Sequence, residues 1–256
     1  MHHRPSDRWL ADLRKPRYSF RTLPHILVVE HDGYVARSLA YPLERAGYEV
    51  LVCGHAEEAR ELIEQLGLPH GAVVDLIAPN QAGDALCQWM NGFSDIPTIA
   101  LLPSDASEAW LRSIRTYADA WIGKPFEPGY LVHRVQWLMH YLGDSNLPLA
   151  PLVQVDDTFA VDFVHQRILL DDCQLPLSPS ETKLLHLLMR RSGCAVSTTF
   201  LASRMERACR SNGASEEAVH GIASALQQKI AALRPDRCYI HAVGCSGYAF
   251  VLPQRG

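Results

Sequence analysis

Gly71-Ala72-Val73-Val74-Asp75-Leu76-Ile77-Ala78-Pro79 is the stretch on which the fold turns. Apolar residues run into a single carboxylate and resume after it, and Gly and Pro close the two ends. A short unbroken apolar run with such borders suits a strand buried on both faces, as in a parallel sheet; a buried helix segment looks alike over so few residues. The neighbours decide. Comparable runs stand at His25-Ile26-Leu27-Val28-Val29-Glu30, Tyr48-Glu49-Val50-Leu51-Val52, Thr98-Ile99-Ala100-Leu101-Leu102 and Ala120-Trp121-Ile122-Gly123-Lys124, with helix-like segments between them. That alternation predicts an α/β fold with a five-stranded, doubly wound parallel sheet. Functional groups in such sheets gather beyond the carboxyl ends of the strands, which here carry Glu30, His31, Asp32, Asp75, Leu102 and Lys124.

With 256 residues the chain has room for two domains, each able to bury a core. A hydrophobic fraction of 48% and a charged fraction of 20% are those of a globular protein in water. No apolar run reaches the roughly 18–20 residues that cross a bilayer, and the N-terminus lacks the apolar core of a signal peptide. Seven Cys, without any CxxC pair, argue for reduced thiols and a cytoplasmic location. The net charge of −4 is uneven. Residues 1–23 hold six Lys/Arg against two acids, residues 24–150 seven against sixteen, and residues 151–256 eleven against ten. The last third is therefore less basic than a nucleic-acid-binding domain usually is.

Residues 1–23, with Arg14-Lys15-Pro16-Arg17, show no sustained hydrophobic period and read as a basic arm, either a solvated tail or an electrostatic contact. Residues 24–142 alternate strand and helix. Pro42 is expected to kink or end the first helix, Ala56 to Leu66 is the second, and further helices run over Glu108 to Ala118 and Pro128 to Leu142. Several of these residues carry a resemblance: Ile26-Leu27-Val28-Val29-Glu30, the Asp75 strand followed by Pro79 and Gly83, Ile96-Pro97, and Lys124-Pro125-Phe126. The domain resembles a two-component receiver, a flavodoxin-like fold, over about 120 residues.

The resemblance implies phosphoryl acceptance at Asp75, with two adjacent acids after the first strand helping to hold Mg²⁺. The matching positions here are Glu30 and His31, with Asp32 one residue further on. Imidazole is a poor ligand for that hard ion. The strand-4 hydroxyl position falls on Leu102, which cannot donate, while Lys124 is retained and Trp121 takes the switch-aromatic position. No cofactor is expected, and the donor set speaks against Mg²⁺. The sharper expectation is a pseudo-receiver held in one state without phosphate, with a protonated His31 supplying part of the missing charge. A working receiver and a transition-metal site of His31, Asp75 and Glu30 stay open beside it. By the same resemblance, the fourth helix, fifth strand and last helix form a homodimer face. Asp119 and Arg134 are there for cross-subunit pairing, Tyr130 stands where a charge is expected, and Trp110, Trp137 and Tyr141 add aromatic surface.

Residues 143–151, polar with one Gly and two Pro, form the linker. Beyond it, over 152–256, short strand-like pieces precede Ser178-Pro179-Ser180-Glu181, a capping box with Pro at the first helical position. Two more helices and a closing hairpin follow, the third helix running from about Glu216 to Leu233. This α+β winged helix-turn-helix resembles the OmpR/PhoB-type output domain, which places its third helix in the major groove and its hairpin tip in the minor groove of double-stranded promoter DNA. Carried onto this chain, the candidate DNA contacts are Arg190, Arg191, Thr198, Thr199, His220, Ser224, Gln227, Gln228, Lys229 and His241. The exposed face of the third helix is nearly neutral, and Gly244 replaces a groove-reaching Arg. Positive charge falls instead on Arg190, Arg191, Arg204, Arg207 and Arg210, a cluster fit for DNA phosphates or for RNA polymerase. The expectation is a transcription regulator that works as a dimer without Asp phosphorylation. A protein-interaction module and a small-molecule sensor are the alternatives. No catalytic constellation appears at usable spacing, so an enzyme is not expected.

Overall fold

The computed structural model describes residues 23–77, 82–142, 147–171, 173–206, 215–244 and 247–252. Residues 1–22 of the basic arm therefore lie outside the described residues, as do residues 143–146 of the linker and Arg207 and Arg210.

The first half is a five-stranded parallel sheet of order β2-β1-β3-β4-β5. Its strands are β1 (His25–Val29), β2 (Glu49–Cys53), β3 (Gly71–Asp75), β4 (Thr98–Pro103) and β5 (Ala120–Lys124). Helices α1 (Gly33–Arg45), α2 (Ala56–Leu66), α3 (Ala82–Phe93), α4 (Glu108–Ile114) and α5 (Pro128–Leu142) connect and follow them. Side chains alternate across a strand, so β1 sends Ile26 and Val28 to the layer of α1 and α5, and Leu27 and Val29 to the opposite layer. Burial on both faces is the reason for the unbroken apolar runs.

Two helices differ from expectation. Pro42 does not end α1, which runs on to Arg45. At that depth the missing proline N–H removes one bond while the turn beyond still closes, Ala46 N–H donating to the Pro42 carbonyl at 3.1 Å. Conversely α4 stops at Ile114, and turns carry the chain on to the Ala118 N–H, which returns to the Ile114 carbonyl at 2.8 Å.

The second half opens with an antiparallel sheet of β6 (Val153–Gln154), β7 (Phe159–Asp162), β8 (Arg167–Leu170) and β9 (Cys173–Pro176). Then come α6 (Pro179–Arg190), the short strand β10 (Val196–Ser197), α7 (Thr198–Glu206) and α8 (Glu216–Leu233). The hairpin β11 (Ile240–Val243) and β12 (Gly247–Phe250) closes the unit against β10. Ser178 caps α6 in a complete capping box: its hydroxyl accepts from Glu181 N–H at 3.3 Å, and the Glu181 carboxylate accepts from Ser178 N–H at 2.7 Å.

The halves are not beads on a string. The apolar layer of α2, α3 and α4 runs without a break into the core of α6, α7, α8 and the hairpin. Leu147 in the linker is buried, and its carbonyl sits 2.8 Å from His70 Nε2.

Candidate functional site: the receiver pocket and the winged-helix face

The carboxyl ends of β1, β3 and β5 bring Glu30, Asp75 and Lys124 together. Glu30 and Asp75 are buried, and Lys124 Nζ donates to Glu30 Oε2 at 2.5 Å and to Asp75 Oδ2 at 3.1 Å. Nδ1 of His31 lies 3.2 Å from Glu30 Oε1 and 3.2 Å from Asp75 Oδ2. The imidazole thus stands between the two carboxylates. Backbone donors finish the coordination of the acids: Asp32 N–H reaches Glu30 Oε1 at 3.1 Å, and Ile77 N–H reaches Asp75 Oδ1 at 3.1 Å. Asp32 itself turns away and caps α1, accepting from Tyr34 N–H at 2.8 Å and Val35 N–H at 3.1 Å. Those amide bonds hold its carboxyl below the usual carboxylate range. Asp32 is therefore a helix cap and does not face the pocket.

The ligand atoms of Glu30, His31 and Asp75 lie within 4.8 Å of one another, so the question of a cation arises directly. This donor set does not fit Mg²⁺. The space between the two carboxylates faces a nitrogen donor, and Lys124 already bonds an oxygen of each acid. Leu102 is fully buried and offers no hydroxyl. Trp121 is half-buried on β5, with the Arg115 guanidinium 5.2 Å from its ring centre. The order in sequence pointed to all of these residues; only the geometry places His31 between the two acids.

On the winged helix the candidates divide. Ser224 and Gln228 are exposed on α8, as are Glu217 and Gly221 beside them. His220 is exposed too, but its Nδ1 lies 2.7 Å from the Tyr248 hydroxyl, which ties α8 to the hairpin. Gln227 donates to the Ile240 carbonyl at 2.9 Å, and His241 Nε2 lies 3.0 Å from the Cys238 carbonyl. Lys229 bonds Glu181 at 2.7 Å, so its charge is already matched within the fold. Thr198 is buried, and both Thr198 and Thr199 bond the Glu216 carboxylate, at 3.1 and 2.8 Å, at the head of α8.

The arginines require a correction. Arg190 is only 1% exposed, and Arg191 and Arg204 are largely covered. All of them turn toward Asp95, in the loop between α3 and β4, so in this arrangement none presents its charge to a nucleic acid. Burial was concealed because an arginine late in an amphipathic helix reads as surface. Asp119 is corrected likewise. It bonds Arg204 of the same chain and accepts from Thr98 N–H at 2.9 Å, so it is not available for cross-subunit pairing. Of the other dimer-face candidates, Tyr130 is exposed and Trp110 half-buried. Arg134 lies over the Trp137 ring at 5.4 Å, and Trp137 stacks on Tyr141.

Several known proteins are similar to this chain. The family model described as the response regulator receiver domain matches residues 26–136. The transcriptional regulatory protein PhoP of Escherichia coli O157:H7 is 29% identical over 175 residues, 67% of this chain and 75% of that protein. The DNA-binding response regulator MtrA of Mycolicibacterium paratuberculosis is 26% identical over 166 residues, 65% of this chain and 72% of its own length. Among solved structures, the Thermotoga maritima response regulator DrrB, described as an OmpR/PhoB homologue, covers 90% of this chain at 21% identity and a TM-score of 0.42. The chain thus carries a response regulator receiver domain at residues 26–136, and over about two thirds of its length it is similar to the regulators PhoP and MtrA.

Proposed function

We propose that this protein is a DNA-binding transcriptional regulator of the response-regulator type that works as a dimer and without phosphorylation of Asp75. The observation that carries the reading is the His31 imidazole between Glu30 and Asp75, with Lys124 bonded to both acids. A receiver that awaits a phosphoryl group leaves its acids unpaired for a divalent ion, because charge building on the phosphoryl oxygens must be neutralised. Here two carboxylates already face one ammonium and one imidazole. Leu102 removes the hydroxyl that would follow a bound phosphoryl group.

DNA binding is supported by the similarity to MtrA, a DNA-binding response regulator, and by the exposure of Ser224 and Gln228 on α8. Gln and Ser can read base edges, Gln adenine in particular. With Arg190, Arg191 and Arg204 withdrawn, few phosphate contacts are left among the described residues, so affinity is modest, the salt dependence shallow, and pairing of two subunits raises the apparent affinity. The dimer face suited to this role is the exposed aromatic surface of α5, with Tyr130, Trp137 and Tyr141.

A second reading has one observation in its favour: a recognition helix almost without positive charge also suits a protein partner. In vitro selection of bound DNA, run in parallel on the parent and on Asp75→Ala, separates the two. Equal recovery of one motif by both proteins is the expected result. A motif recovered only after phosphorylation overturns phosphate independence, and no motif from either protein favours the protein partner.

A further inference from the structure

Three basic side chains of the winged helix and two carboxylates of the receiver meet in a buried cluster between the domains. Arg204, on α7, donates to Asp95 through Nε at 2.6 Å and Nη2 at 2.5 Å, and its Nη1 meets the Asp119 carboxylate at 2.5 Å. Arg190, on α6, bonds the Asp95 backbone carbonyl and lies 3.5 Å from the Asp95 carboxylate. Arg191 bonds the Leu142 carbonyl at the end of α5 and lies 3.8 Å from Asp95. The charges nearly balance, and the surplus guanidinium hydrogens go to carbonyl groups.

Two further contacts extend the cluster. Lys183 is 1% exposed and donates to both the backbone and side-chain oxygens of Asn91 at 2.8 Å. His186 accepts the Asp95 N–H on Nδ1 at 2.9 Å. Burial deepens the effect of each contact, because a charge stranded there has no water to turn to. Burial works against the charge on Arg204, but the Asp95 and Asp119 carboxylates together outweigh it and hold this guanidinium more firmly protonated than a free arginine.

We propose that this cluster is a permanent intramolecular clasp, by which receiver and winged helix act as one rigid body with the outer face of α8 left open. A loosely tethered output domain can be released and re-docked when the receiver changes state; this one cannot without stranding several buried charges. The clasp also explains why Arg190, Arg191, Arg204 and Asp119 do not look outward: each is spent on the other domain. The inference stands apart from the functional reading, since it concerns domain association and not DNA.

The test cuts the covalent tether of the full chain. A protease site is introduced between Leu142 and Leu147, the folded protein is cleaved, and the products are passed over a sizing column at physiological and at high salt. The two fragments are expected to elute together at both, because buried pairs are screened far less than surface ones. Separate elution at physiological salt overturns the proposal. In the cleaved Arg204→Gln variant the fragments should dissociate at least about a hundredfold more readily, in line with loss of one partner from a buried ion pair. Unchanged association would overturn the role given to the ion pairs. Should Arg204→Gln fail to fold, the cleaved parent decides alone.

Discussion

Acidification should weaken this protein well before its carboxylates titrate, because two imidazoles at the domain junction are held neutral. His70 accepts the His25 N–H on Nδ1 at 3.0 Å and presents Nε2 to the Leu147 carbonyl at 2.8 Å. A second ring proton would sit on Nδ1 and face another donor. Burial lowers the His70 pKa to about 4, reinforced by nearby His25 and Arg190 and opposed by the Leu147 bond. His186 is pushed well below its ordinary value by burial and then by Arg190, Arg191 and Lys183. Its Nδ1 is likewise occupied by a donor, the Asp95 N–H.

A depressed folded-state pKa on a histidine means that the unfolded chain binds more protons below pH ~6.5, so stability is full above that value and falls as pH drops toward the folded pKa. Between pH ~6.5 and ~4.5 the His70 shift alone amounts to a loss of about 2 kcal/mol, and His186 adds in the same direction. For a chain of this size about 2 kcal/mol corresponds to a fall in Tm of roughly 4–8 °C. Thermal melts followed by circular dichroism at half-unit pH steps measure it. In His186→Gln, where the amide oxygen can still accept from Asp95 N–H, the slope across that window should be shallower. A parent melting temperature that stays level or rises from pH 6.5 to 4.5 would refute the reasoning.

Three further outcomes follow from individual contacts. His31→Asp puts an oxygen donor back between Glu30 and Asp75, so incubation with Mg²⁺ and acetyl phosphate should phosphorylate Asp75 in the variant and not in the parent; intact mass reads the result, and equal labelling of both would contradict the role given to the imidazole. Gly67→Ala should cost on the order of 1–3 kcal/mol in urea denaturation, since Gly67 has φ +96° and a Cβ would lie 2.1 Å from the Ala150 carbonyl oxygen of the linker; an unchanged midpoint would mean that the linker is not docked there. Ser178→Ala removes one half of the capping box and should cost about 1 kcal/mol by the same measurement, while Ser178→Gly should cost only a few tenths.

The five strands of the parallel sheet were legible from their apolar runs, because a strand buried on both faces has no choice but an unbroken apolar run. Val73 and Val74 point to opposite layers and both are fully buried. The meeting of Glu30, Asp75 and Lys124 was legible for a related reason: Asp75 and Lys124 each end a strand, Glu30 directly follows one, and parallel strands put those ends side by side. Local signals served equally well for α6, whose capping box is written in Ser178 and Glu181.

What sequence could not convey is which charges face each other across the molecule. Arg190 looks like the last turn of an amphipathic helix and Asp119 like a free acid before β5, yet Arg204 joins Asp119 to the same Asp95 that Arg190 bonds. Pairing of this kind joins residues about a hundred positions apart and leaves no period or motif along the chain. The sequence by itself determined the parallel sheet and brought Glu30, Asp75 and Lys124 to one end of it; the tertiary structure alone decided that the domains share one core and that Arg190, Arg191 and Arg204 turn toward Asp95. Hydrophobic pattern is a local property of the chain, whereas the partner of a buried charge depends on how the completed domains meet.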